Sequence, residues 1–195
     1  MDKHVQAYFD ALNKINKKTD QKKILKIIKE LSKVRKNKGR IFFLGVGGSA
    51  ANCSHAVNDF RKLCNIESYS PTDNVSELTA RINDESWEES LVGWLKTSNL
   101  SMNDCLFIMS VGGGNIEKKV SVNLVNAVNY GLKKKSKIVG IVGKDGGYTA
   151  KKSNNVFIVP VAKDKLITPL TESYHAVIWH CIVSHPMLQK NKTKW

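Results

Sequence analysis

The sequence is short of acidic side chains. It carries 17 Asp and Glu against 31 Lys and Arg, a formal net charge of +14 over 195 residues. An excess of that size raises the question of a nucleic-acid partner. Aromatic residues are not interleaved with the lysines, as a base-stacking platform would need. Lysine also predominates where bidentate phosphate readers would be arginine. The positive charge crowds the stretch from Lys14 to Arg40, recurs at Lys133-Lys134-Lys135, and returns at Lys190, Lys192 and Lys194. We expect a solvated lysine surface and no nucleic-acid partner. Long apolar runs are missing too: none approaches the roughly 18 residues of a membrane span, so no membrane association is expected. The opening MDKHVQAYFDALNK is amphipathic and lacks the apolar core of a signal peptide, which points to the cytoplasm. Cys53, Cys64, Cys105 and Cys181 are scattered without a CxxC pair, which argues against a zinc finger or disulfide framework and for reduced thiols.

No linker or composition break divides the chain after Arg40, and no internal repeat is visible. The expected organisation is one domain over 1–195, with a helical hairpin at 1–38, an α/β core at 39–189 and a tail at 190–195. Apolar residues at helical spacing mark a helix over 3–17 and a second to about Lys36, with Thr19-Asp20 as a cap and Gly39 as the stop. This hairpin needs a partner surface, either the domain itself or a second subunit. Ile41-Phe42-Phe43-Leu44 has the length and bulk of a buried strand, and Cys105 to Met109 and Lys137 to Val142 match it. Ile66 to Tyr69 is weakly strand-like, and Asn155 to Val161 reads as a further strand. Helices are expected at Ser76 to Ile82, at Trp87 to Lys96, across Val120 to Leu132, and from Thr168-Pro169 to His185-Pro186. The Asn191 to Trp195 tail is expected to fray. Alternating strands and helices predict a three-layer, doubly wound parallel sheet, flavodoxin-like, behind the hairpin.

Two strands run directly into glycine turns: Gly45-Val46-Gly47-Gly48-Ser49 and, about sixty-five residues later, Ser110-Val111-Gly112-Gly113-Gly114-Asn115. Strand, glycine turn and helix N-terminus together form an anion cradle. The first turn satisfies G-x-G-x-x-G/A, a weak dinucleotide signal when alone. A nicotinamide reading wants an acidic residue closing the next strand, and Glu67 falls in a poor one. The second turn and the serine after the glycines fit a compact phosphate or sugar better. His55 and Asp59 follow the first turn on one helical face.

GVGGSA, SHAVND, LTARIND, SVGGGN, GIVGKDGG and TESYHAVIWH occur in that order, and together they resemble the sugar isomerase (SIS) domain. More closely they resemble the sedoheptulose-7-phosphate isomerases, also called phosphoheptose isomerases. The resemblance covers nearly the whole chain and implies an SIS fold and a homotetramer with active sites between subunits. It implies interconversion of sedoheptulose 7-phosphate and D-glycero-D-manno-heptose 7-phosphate, towards heptose for cell-surface polysaccharide. It also implies a divalent metal, usually zinc. Carried over by position, the metal set is His55, Asp59, Glu172 and His180, with Asp59 where the family has Glu and Glu172 where it has Gln. Two histidines and two carboxylates are a sound donor set for Zn²⁺. Asp59 and His180 inherit the acid–base work. Gly47, Gly48, Ser49, Asn83, Asp84, Ser110, Gly112, Asn115 and Glu172 are the implied substrate contacts. Val46 stands where the family has Asn, and the second turn keeps one hydroxyl where the family has several. That leaves open a different sugar phosphate, or a non-catalytic module that binds one. Glu172 and His180 are eight residues apart, about 12 Å of helical rise. They share one metal only if Glu172 lies at a loosened helix start; otherwise they serve different subunits. His175 reads as structural or interfacial.

One outcome follows from charge alone. The protein should fail to retard duplex DNA or RNA in a gel at low ionic strength; retention that falls steeply with added salt would mark the lysine surface as a polyanion site.

Overall fold

The computed structural model describes residues 2–153 and 155–193. Two helices open the chain, α1 (Lys3–Lys18) and α2 (Gln21–Lys36). Asp20 caps α2, its carboxylate accepting from the Lys23 N–H at 3.0 Å. There follow β1 (Ile41–Leu44), α3 (Gly48–Cys64), β2 (Ser68–Tyr69), α4 (Val75–Asp84), α5 (Ser90–Thr97) and β3 (Cys105–Ser110). The chain closes with α6 (Val122–Lys133), β4 (Lys137–Val142), α7 (Gly147–Lys152), β5 (Val156–Ile158) and α8 (Ile167–Val183). All strand pairs are parallel, in the order β2-β1-β3-β4-β5. This is the expected doubly wound sheet. Connections leave β1 and β3 in opposite directions, so the topological switch point lies between these neighbours, and both glycine turns sit at it.

The strands read alternately into two cores. Ile41 and Phe43 of β1, Cys105, Phe107 and Met109 of β3, and Val139 and Ile141 of β4 face one side. That side is covered by α3 and α8, and Ala11, Ile15, Ile24, Ile27, Ile28, Leu31 and Val34 of the hairpin join the same cluster. The hairpin's buried stripe is therefore partnered by the domain itself, while Val5 and Phe9 of α1 stay exposed. Phe42, Leu44, Leu106 and Ile108 face the other side, against Leu91, Trp94 and Leu95 of α5 and Leu124, Ala127 and Val128 of α6. Three cysteines are buried; Cys181 is exposed.

Several local readings change. The residue that turns the chain out of α2 is Lys38, in the left-handed region at φ 54°, with Lys38 N–H bonded to Arg35 O and Gly39 N–H to Val34 O. Gly39 is needed for a different reason: a Cβ there would overlap the Asn103 carbonyl. Asn83 and Asp84 end α4 rather than follow it, α5 begins at Ser90, and β5 spans only Val156–Ile158. Val120 is outside α6: it pairs antiparallel with Asn115, closing a short exposed excursion between the second glycine turn and the helix. The tail does not fray at Asn191, whose backbone N–H and side chain bond Leu63 O and Lys62 O at the end of α3. Its last two residues lie outside the described ones.

At the opposite end of β1 and β3, Asp104 is 2% exposed and accepts from Arg40 Nε and Nη2 at 3.2 and 2.9 Å and from Ser101 N–H at 2.8 Å. Burial pushes its carboxyl up, but the Arg40 and Ser101 bonds outweigh it and hold it below the ordinary range. Arg40→Ala should cost about 3 kcal/mol, because a buried carboxylate loses its cation. A depressed native pKa adds stability above the unfolded-state value that is lost as pH falls through the native one. Denaturant midpoints in acid should therefore fall less steeply for the variant than for the parent.

Candidate metal centre and glycine turns

Helices α3 and α8 run side by side in the same direction. Asn52 Nδ2 donates to Glu172 O at 2.9 Å, Trp179 Nε1 donates to Asp59 Oδ2 at 2.9 Å, and Cys64 Sγ lies 3.7 Å from Val183 O. That register brings together His55 and Asp59, one turn apart on α3, and His180 on α8. Asp59 Oδ2 stands 3.6 Å from His55 Nε2 and 3.3 Å from His180 Nε2. One donor atom from each residue lies within 4.8 Å of the other two. Asp59 is buried, and its Oδ1 accepts from Asn58 Nδ2 at 3.1 Å; both imidazoles are exposed. Donor atoms around a tetrahedral zinc with bonds of about 2.0–2.1 Å stand about 3.3–3.4 Å apart. Two imidazoles and a carboxylate at these separations fit such an ion with small side-chain adjustments. Three protein donors would leave a bound zinc one position for water or substrate, as in catalytic zinc sites.

Glu172 does not join the set. Its carboxylate lies against Gly48, so close that a Cβ on that glycine would stand 2.7 Å from either oxygen. Glu172 is in the first turns of α8, beside the start of α3, and the regular helix carries His180 about 12 Å further on. The expected four-residue set is thus three residues that meet, His55 and Asp59 on α3 and His180 in the last turn of α8, and a carboxylate set apart at the first glycine turn. Of that turn, Gly47 and Gly48 are exposed, while Ser49 is buried at 2% exposure and turns into the protein.

The second turn is built against the start of α7. Gly113 O accepts from the Thr149 N–H and hydroxyl at 2.9 and 2.8 Å, and Gly114 O from the Tyr148 N–H at 2.9 Å. Ser110 Oγ accepts from the Gly113 N–H at 3.1 Å, which leaves its hydroxyl proton to donate. Asn115 Oδ1 accepts from the Lys118 N–H at 2.7 Å. Gly112 keeps open space over its Cα. Asn83 and Asp84 are exposed at the end of α4, where the Asn83 amide donates to Asp84 at 2.7 Å.

Three residues around the centre carried no functional reading in the sequence: Trp179, Asn58 and Asn52. Trp179 looked like one more apolar residue of α8; only the α3–α8 register reveals its N–H on Asp59. Asn52 also faces His175 Nδ1 at 3.4 Å. His175 is fully buried, and burial pushes it down to about 4 against the pull of the Ile141 backbone, so it is neutral at pH 7. Of the two roles expected for it, structural or interfacial, its full burial within the chain leaves no surface for the second.

Comparison with known proteins fits this geometry. No protein-family model matches the chain. A phosphoheptose isomerase from a Nitratiruptor species is 30% identical over 155 residues, 76% of each chain. The lincomycin biosynthesis protein LmbN of Streptomyces lincolnensis is 29% identical over 158 residues; the match takes in 75% of this chain but only 56% of that longer protein. Among solved structures, the phosphoheptose isomerase GmhA from Neisseria gonorrhoeae superposes with a TM-score of 0.79 at 20% identity, over 92% of this chain and 96% of that one. The fold is that of the SIS sugar isomerases. The chain belongs to the phosphoheptose isomerase family.

The two turns should respond differently to substitution. In Gly113→Ala the new Cβ would overlap the Gly146 carbonyl, and φ is +66°. A loss of about 2–4 kcal/mol is expected in denaturant unfolding. In Gly48→Ala the methyl meets only the movable end of Glu172. Helix propensity there offsets the contact, and stability should stay within about 1 kcal/mol of the parent.

Proposed function

We propose that this chain is a sugar-phosphate aldose–ketose isomerase that interconverts sedoheptulose 7-phosphate and D-glycero-D-manno-heptose 7-phosphate. The observation that carries the reading is the His55/Asp59/His180 centre, in a chain whose relatives include proteins named phosphoheptose isomerase. These three residues would hold a divalent ion, zinc by the chemistry of the donors. When bound, the ion supplies Lewis-acid polarisation of the substrate carbonyl. Asp59 and His180 are the proton-transfer groups: a carboxylate suits removal of the proton from the carbon beside the carbonyl, and an exposed imidazole suits its return. Gly47 and Gly48 of the first turn, and Ser110, Gly112 and Asn115 of the second, are assigned to the sugar phosphate. Asn83 and Asp84 are assigned to the sugar.

The centre and the first turn lie apart within one chain, separated by 7 to 11 residues of α3, or about 10–16 Å. That spacing favours active sites completed by a second subunit. Val5 and Phe9 of α1 and Val177 of α8, all exposed, supply apolar surface for such association, and a homotetramer is our reading. No helix among the described residues is long and apolar enough to cross a membrane. We place this single-domain enzyme in the cytoplasm. A second reading, isomerisation of a different sugar phosphate, is favoured by the second turn, which carries a single hydroxyl, that of Ser110.

Zinc-loaded protein incubated with sedoheptulose 7-phosphate in D₂O should yield the aldose with deuterium at the exchanging carbon. Asp59→Asn and His180→Ala should each lower the rate at least about 100-fold. Product from another ketose phosphate alone would favour the second reading. Binding without product or exchange from any of them would sink the enzyme reading and leave a sugar-phosphate-binding module.

A further inference from the structure

One indole touches every member of the proposed metal centre. Trp179 is 1% exposed, and its Nε1–H donates to Asp59 Oδ2 at 2.9 Å. Its ring lies 5.1 Å from the His55 ring at 69° and 4.8 Å from the His180 ring at 57°. An indole N–H is a donor only; it neither ligates a metal nor takes up a proton in the reaction. What it can do is orient.

Resting on the metal-holding reading above, we propose that Trp179 is the positioning residue of the centre. Its N–H fixes the Asp59 carboxylate, and its ring packs against the two imidazoles. The hydrogen bond is charge-assisted and buried, which places it among the strong ones. Asn58 holds the other oxygen at 3.1 Å, so the carboxylate plane is tied from both sides. The imidazoles are more than half exposed on their side chains, and their ring contacts run to Trp179 and to each other, at 5.5 Å. Without the indole, two exposed rings and a carboxylate held at one oxygen only would have to be ordered by the ion itself. Groups that hold a metal ligand by its outer atoms typically contribute 10–100-fold to metal affinity.

The test uses full-length protein and Co²⁺ as the probe, read by calorimetry and by the visible absorption of the bound ion. Trp179→Phe should weaken Co²⁺ binding about 10–100-fold and alter the absorption band. The control is Trp94→Phe, in the core on the other face of the sheet. It should lower thermal stability but leave Co²⁺ affinity and spectrum at the parental values. Parental Co²⁺ affinity in Trp179→Phe, or equal losses in both variants, would overturn the proposal while leaving the metal centre intact. Absence of Co²⁺ binding by the parent would overturn the metal reading and this inference together. Should Trp179→Phe not fold, the parent still decides the matter. Its Trp179 indole proton, assigned through contacts with the two imidazoles, should shift on Zn²⁺ titration and exchange slowly with solvent. An indole signal unmoved at saturating Zn²⁺ would refute the proposal.

Discussion

Two parallel helices on one face of a sheet can slide past one another by a turn with little change in buried apolar area. On α3 and α8 that freedom is removed by polar contacts at three levels: Asn52 on Glu172 O, Trp179 on Asp59, and Cys64 against Val183 O. One helical turn of slippage, about 5.4 Å, would break all three and carry His180 away from Asp59. The candidate centre is therefore a product of this register more than of any one residue. The register in turn depends on the sheet beneath, where β1 and β4 hold the two helices over a shared core.

The same register explains why the polar groups divide into two places. Side chains of α3 that face α8 recur at Gly48, Asn52, His55 and Asp59. Those of α8 that answer them are Glu172, His175, Trp179 and His180. Gly48 lies under Glu172, whose carboxylate occupies the space beside it and would have to shift if a Cβ were present. Further along, the pairing becomes carboxylate to indole and imidazole. An anionic side chain at the helix start is favoured by the dipole of α3, and there Glu172 opposes any second anion at the same spot. The second turn carries no such carboxylate. Its Ser110 hydroxyl proton is left to donate, and Gly112 keeps open space over its Cα.

Much of this was legible in the sequence. Apolar runs of strand length followed by glycines are forced readings: Ile41 to Leu44 and Cys105 to Met109 have no amphipathic alternative, and the helical stripes of α1 and α2 are equally plain. His55 and Asp59 could be paired because i and i+4 on one helix are neighbours regardless of tertiary structure. His180 required the family resemblance to be placed with them. Glu172 was drawn into the same set by that resemblance, although eight residues of regular helix keep it from His180. Trp179 was illegible because a tryptophan in an apolar stretch reads as core, and it is core; its N–H acquires meaning only from what stands across the helix pair. Local chemistry misled at Gly39, where a close backbone approach mimicked a helix stop. It misled again at Val120, whose apolar spacing suited α6 although the chain first makes an exposed excursion.

The burial pattern also bears on what the centre is for. Asp59 is 8% exposed, and a carboxylate taken that far out of water needs donors. Asn58 and Trp179 supply two neutral ones, enough for hydrogen bonding but not for charge. The groups that could add positive charge beside it are the two imidazoles, or an ion held between them. Were imidazolium the answer, a single histidine would serve. The second, with its nitrogen also turned to Asp59, would add repulsion across rings 5.5 Å apart. A divalent ion reverses that sign: it wants both imidazoles neutral and the carboxylate ionised, and gains from each. Two histidines converging on one buried aspartate are thus a donor set that suits the proposed metal. The neutral indole beside them can hold the carboxylate in place without competing for either.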